Sequence, residues 1–140
     1  MQITLAEPGE LIDISEIDNG VIGSYSRKNY LKVAIEEKRC LVAKTDSSIV
    51  GFLIYNTDFF NCSFIALVIV HPLERKKGYA KSLMRYFETI SPTQKVFSST
   101  NQSNENMQKL FISIGFVKSG YVENLDEGDP EIIYFKMLLS

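Results

Sequence analysis

An α/β (α+β) fold with a mixed central sheet of about seven strands and about four helices is predicted for this 140-residue chain. Three observations predict it. Runs of period two alternate along the chain with apolar stripes of helical period. The stretch Ser63–Val70 is apolar on both faces, as in a sheet centre covered by helices. A helical stripe follows that stretch and leads into another strand, which makes a βαβ unit with a right-handed crossover.

Gln2–Ala6 alternates apolar and polar side chains until Pro8 and Gly9 stop it, which predicts a first strand. Leu11, Ile14, Ile17 and Val21 recur at helical spacing, and Tyr30 and Ala34 do so before Glu36–Arg39, giving two helices. Cys40–Lys44 and Ile49–Tyr55 flank the polar turn Thr45–Ser48 and read as an antiparallel hairpin. After the central strand, ended by His71 and Pro72, a helix begins at Gly78. Tyr79, Ala80, Leu83, Met84 and Phe87 form its stripe, and it stops near Ser91 and Pro92. Lys95–Ser99 is the next strand. A helix over Asn104–Ile114, stopped by Gly115, precedes two last strands, Phe116–Val122 and Ile132–Leu139.

Length and 45% hydrophobic content suit one packed domain over residues 1–140. The longest apolar run, Phe64–Val70, is far short of the roughly 20 residues that span a bilayer, so no membrane role is expected. Met1–Glu10 has neither a basic start nor an apolar stretch for export, and a cytoplasmic location follows as the expectation. Cys40 and Cys62 lie in no metal-ligand spacing and read as small hydrophobes, and His71 is the single histidine, so no metal is expected. With a net charge of -2 the chain has no basic surface for nucleic acid. The charge is nevertheless uneven: Arg75, Lys76, Lys77, Lys81 and Arg85 form a basic cluster, while Glu123, Asp126, Glu127, Asp129 and Glu131 form an acidic one. Each also reads as a solvated face.

The informative segment is RxxGxA, written by Arg75, Gly78 and Ala80, between an apolar strand and a helix. A pyrophosphate needs free backbone N–H donors, a loop without a Cβ in the way and a positive field. A helix N-terminus, Gly78 and the flanking Lys76, Lys77 and Lys81 supply these. The loop also lies at the carboxyl end of a sheet strand, where open α/β folds bind ligands. Here the chain resembles the GNAT superfamily of acyl-CoA-dependent N-acyltransferases, whose Q/RxxGxG/A loop follows a strand ending in a V-x-P-like turn. Val70, His71, Pro72 and Arg75–Ala80 fit that arrangement. Asn104, Met107, Leu110, Phe111, Gly115 and Phe116 match a second element, an asparagine followed by a helix and a Gly-Phe pair. The order of strands and helices is similar to that family's from end to end.

The resemblance implies an N-acetyltransferase using acetyl-CoA and a primary amine of a small-molecule or peptide acceptor, as a monomer or a homodimer. Backbone groups of Val68, Ile69 and Val70 would hold the pantetheine arm and polarise the thioester carbonyl. Arg75, Lys76, Lys77, Gly78, Tyr79, Ala80 and Lys81 would surround the pyrophosphate. Asn104 would contact the pantetheine, although its chemistry equally suits a helix cap. Phe111 would lie beside the thioester sulfur. Many members carry a tyrosine acid at that position, and N-terminal acetyltransferases carry a glutamate base where this chain has Ser99. Histone-type members place a glutamate on the central strand, and Phe59–Val70 has no carboxylate. Glu123 and Asp126 are the candidate catalytic carboxylates, in a segment whose charge suits a cationic acceptor. Tyr121 and Tyr134 read as acids or as strand packing. Three further readings stay open: a non-catalytic acyl-CoA-binding module, a protein N-terminal or lysine acetyltransferase, and a small regulatory α+β domain that binds a phosphate ligand at the basic turn.

Overall fold

A computed structural model describes residues 1–46 and 48–139. Its elements are β1 (Gln2–Leu5), α1 (Leu11–Ile22), α2 (Lys28–Glu36), β2 (Cys40–Thr45), β3 (Ser48–Phe59), β4 (Cys62–Val70), α3 (Tyr79–Ile90), β5 (Lys95–Asn101), α4 (Glu105–Ser113), β6 (Val117–Val122) and β7 (Glu131–Met137). Single 3₁₀ turns occupy Pro8–Glu10 and Pro72–Glu74. The seven strands form one mixed sheet in the order β1-β2-β3-β4-β5-β7-β6. The expected α/β class, the element order and the antiparallel β2–β3 hairpin are thus found, with a bulge between Ala43 and Lys44. The turn expected over Thr45–Ser48 includes Ser47, which lies outside the described residues.

Strand β3 runs past the expected end at Tyr55 to Phe59. It passes through the polar Asn56, Thr57 and Asp58, and Phe60 and Asn61 take left-handed φ of 52° and 63° and close a two-residue turn into β4. Only glycine or asparagine adopts that geometry cheaply, so a phenylalanine there carries local strain. Strand β5 likewise continues to Asn101, because its ladder with β7 extends to the pair Asn101 and Glu131.

The chain forms two compact units, Met1–Tyr55 with Leu67–Thr89, and Asn56–Ala66 with Ile90–Ser140. In the first, alternation along β2 and β3 sends Cys40, Val42, Phe52 and Ile54 to one face, where Ile14 and Ile17 of α1 and Leu31, Ala34 and Ile35 of α2 complete a buried core. The opposite face packs on α3: the Tyr55 and Phe87 rings lie 4.6 Å apart, and Leu83 approaches Gly51. Asp18, 1% exposed, is held by Arg27 through Nε at 3.1 Å and a second guanidinium bond, which fixes α1 to the start of α2. Cys40 is a buried free thiol whose pKa is pushed up to about 12 by desolvation.

Gly51 marks a close approach of β3 to β4, since a Cβ there would stand 2.9 Å from the Ile69 carbonyl oxygen. A backbone oxygen yields only if the strand moves. Gly51→Ala is therefore expected to lower stability by about 1–3 kcal/mol, read from the midpoint of chemical denaturation.

In the second unit, β5 and β7 turn Val96, Thr100 and Tyr134 to a buried face that α4 covers with Phe111. The other face carries an aromatic row in which Phe59 lies 5.0 Å from Phe64 and 4.9 Å from Phe97, and Phe97 lies 5.1 Å from Phe135. These rings are half-buried.

Candidate functional site

In the first unit, the chain leaves β4 through His71, whose N–H donates to the Val50 carbonyl at 2.8 Å and whose Nδ1 accepts from the Leu73 N–H at 3.1 Å. The 3₁₀ turn follows, Arg75 is extended, and Lys76 and Gly78 take left-handed φ of 66° and 84°. Helix α3 then starts at Tyr79, its first internal bond running from the Ser82 N–H to the Gly78 carbonyl at 3.0 Å. The N–H groups of a first helical turn have no intrahelical acceptor, and the helix dipole makes that end positive. Arg75, Lys76, Lys77, Lys81 and Arg85 are all exposed around it. Glu74 engages Lys77 at 2.6 Å and raises its pKa, chiefly through that hydrogen bond. Apart from Gly78 and its two chain neighbours, no protein atom lies within 4 Å of where a Cβ on Gly78 would be. The turn is thus an open cradle of donors and positive charge, the chemistry a pyrophosphate requires. Val68, Ile69 and Val70 precede it on β4, apolar yet only half-buried. A groove of about 580 Å³ in this unit is lined by Asp13, Glu16, His71 and Glu74 among others, and its acidity makes it unsuited to phosphate.

In the second unit, β4 and β5 pair in parallel through Ser63 with Val96, Phe64 with Phe97 and Ile65 with Ser98. There the buried Ser98 hydroxyl donates to the Ile65 carbonyl at 2.8 Å. The next residue, Ser99, donates its hydroxyl to Glu131 Oε2 on β7 at 2.7 Å. Asn101 Nδ2 donates to Asp126 Oδ2 at 2.9 Å, and Asp129 accepts from the Ser103 N–H at 2.9 Å and the Ser103 hydroxyl at 2.6 Å. The acidic segment is therefore folded onto the end of β5, where Asn101 holds Asp126; Asp126 and Glu123 are both exposed.

Asn104 caps α4, its Oδ1 accepting from the Met107 N–H at 3.1 Å, which leaves Nδ2 for another partner. Phe111 is fully buried, stacked on Tyr134 at 4.6 Å and against Phe116 at 5.4 Å, so as it stands it packs rather than presenting a surface. Tyr134 is also fully buried; its hydroxyl donates to Gln108 Oε1 at 3.3 Å, and desolvation raises its pKa. Tyr121 is exposed. A second groove, of about 520 Å³, runs along the aromatic face between Phe59, Phe60, Phe97, Tyr121 and Ile133. Sequence reasoning missed this groove and, although it placed Glu131 in the acidic cluster, missed its pairing with Ser99, since both arise from strand register. Among the described residues no helix is long and apolar enough to cross a membrane.

The profile of the Acetyltransferase (GNAT) family matches residues 11–116. The crystal structure of an acetyltransferase of the GNAT family from Bacillus cereus ATCC 10987 superposes with a TM-score of 0.96 at 55% identity, covering 99% of this chain and 98% of that one. The structure of yncA from Salmonella typhimurium with its cofactor acetyl-CoA gives a TM-score of 0.83 at 16% identity over 100% and 95% of the two chains. Ribosomal-protein-alanine N-acetyltransferase from Brucella melitensis gives 0.84 at 16% identity over 99% and 100%. The last two likenesses are of fold. No curated protein sequence matches the chain.

Proposed function

Because the chain belongs to the GNAT acetyltransferase family, we propose that residues 1–140 act as one acetyl-CoA-dependent N-acetyltransferase domain that acetylates a primary amine of a small-molecule or peptide acceptor. The observation that carries this reading is the turn before α3, where Gly78 at φ 84° opens the backbone and exposed cations surround a helix N-terminus. Arg75, Lys76, Gly78, Tyr79, Ala80 and Lys81 would hold the pyrophosphate, with Lys77 shared with Glu74. Backbone groups of Val68, Ile69 and Val70 would align the pantetheine arm, and Asn104 stays a candidate for cofactor contact through its Nδ2, which has no bond among the described residues.

Bound acetyl-CoA supplies an acetyl group already activated as a thioester. A β4 backbone N–H aimed at the carbonyl oxygen would stabilise the charge that gathers there as the amine attacks, an effect larger in the transition state than in the ground state. A cytoplasmic setting is part of the reading, consistent with Cys40 and Cys62 being free thiols. Isothermal calorimetry with acetyl-CoA, followed by release of free CoA thiol across a panel of primary amines, tests the whole. Saturable binding with amine-dependent release is the expected result. Binding with no release above the amine-free rate would instead favour an acyl-CoA-binding module, and no binding would remove the reading.

A further inference from the structure

We propose that Glu131, oriented by Ser99, is the carboxylate that receives the acceptor amine and takes its proton, and that the aromatic groove beside it selects an amine with an aromatic or apolar body. The inference rests on the acetyltransferase reading and adds to it a base and a substrate class.

Alternation places Phe97 and Ser99 on one face of β5, and Glu131, Ile133 and Phe135 on the same face of β7. The Phe97–Phe135 ring contact at 5.1 Å and the Ser99–Glu131 bond at 2.7 Å show that these faces coincide. Ile133 is directly opposite Ser99, lines the groove, and is two positions from Glu131. The carboxylate therefore stands at the head of the groove, about 7 Å along the strand from one of its walls. Ser99 follows Ser98, the last β5 residue paired with β4 in the parallel ladder. Glu131 is only half-buried, and its Oε2 is oriented by a neutral hydroxyl.

Phe60 supports a ligand-binding groove independently. It is 84% exposed and holds a left-handed φ of 52°, so neither burial nor backbone preference explains an aromatic ring there. The hairpin turn imposes the positive φ, and strained positions of this kind cluster at functional sites. Ring faces of Phe59, Phe60 and Phe97 suit a planar or apolar substrate body, and a carboxylate at the head suits an ammonium.

The step balances with acetyl-CoA as the donor. Glu131 accepts one proton from the ammonium and frees the nitrogen lone pair. The nitrogen bonds to the acetyl carbon as the carbon–sulfur bond breaks. A second proton leaves the nitrogen for the CoA sulfur, and the proton on Glu131 passes to solvent.

The test uses the full chain with 2-phenylethylamine and its neutral counterpart 2-phenylethanol. NMR titration of the wild type is expected to show tighter binding of the amine, with shifts at Phe97 and Ile133. Glu131→Gln, which keeps an acceptor for Ser99, should weaken the amine about tenfold and leave the alcohol unchanged. In the thiol assay it should lower kcat about 100-fold with the Kd for acetyl-CoA unaltered, and Glu131→Asp should restore part of the loss. Phe60→Gly should weaken both probes without lowering the unfolding midpoint, since glycine relieves the left-handed strain. The proposal is overturned if the wild type does not prefer the amine, or if Glu131→Gln keeps wild-type preference and kcat. A wild type that binds the amine at Glu131 but not acetyl-CoA would instead defeat the acetyl-transfer reading, so the two failures are distinct.

Discussion

Gly78→Val is expected to abolish measurable acetyl-CoA binding while the chain stays folded. Two effects act together. At φ 84° a β-branched residue is strained, which would draw the turn out of shape, and its side chain would fill the space now open beside Gly78. Each backbone N–H bond to a charged phosphate contributes about 1.5–3 kcal/mol, so losing two weakens binding about 100-fold or more. Calorimetry with acetyl-CoA measures the loss, and circular dichroism confirms the fold. The core should be little affected, because no residue other than the two chain neighbours comes within 4 Å of the added Cβ. Arg75→Ala should do far less, since an exposed single charge contributes modestly. Wild-type affinity in folded Gly78→Val would remove the turn from the binding site.

Phe111→Ala should produce the largest loss of stability. The ring is completely buried, stacked on Tyr134 at 4.6 Å and packed on Phe116 at 5.4 Å. Truncation leaves a cavity beneath α4 and costs about 3–5 kcal/mol, a large part of the roughly 5–15 kcal/mol by which domains are stable. A fall in Tm of roughly 10 °C or more is the expected reading. Phe111→Tyr is a sharper probe of chemistry. A hydroxyl buried without a partner would cost about 1–3 kcal/mol, so a variant that keeps wild-type stability and gains turnover would show the hydroxyl reaching a useful proton acceptor, whereas an equally stable variant with unchanged turnover would show that thiolate protonation is not limiting.

What was legible in the residues themselves were the features that local physics dictates. Period and punctuation delimit the helices, because an apolar stripe and a cap such as Asn104 act within a few residues. The cradle was legible for the same reason: Arg75, Gly78 and Ala80 sit together in sequence, and a strand-to-helix turn needs no distant partner to form. The continuation of β3 through Asn56–Asp58 was not legible, because polar residues join a strand when a turn such as Phe60–Asn61 brings a neighbour alongside. Nor was the role of the acidic segment. Its carboxylates are alike in sequence, and the fold assigns Asp126 to Asn101 and Asp129 to Ser103 through the loop between β6 and β7, and Glu131 to Ser99 across the β5–β7 ladder. Where N-terminal acetyltransferases carry a glutamate base this chain has Ser99, and the carboxylate nearest that position comes from the adjacent β7, since cross-strand neighbours are set by hydrogen-bond pairing over long sequence separations rather than by spacing along the chain.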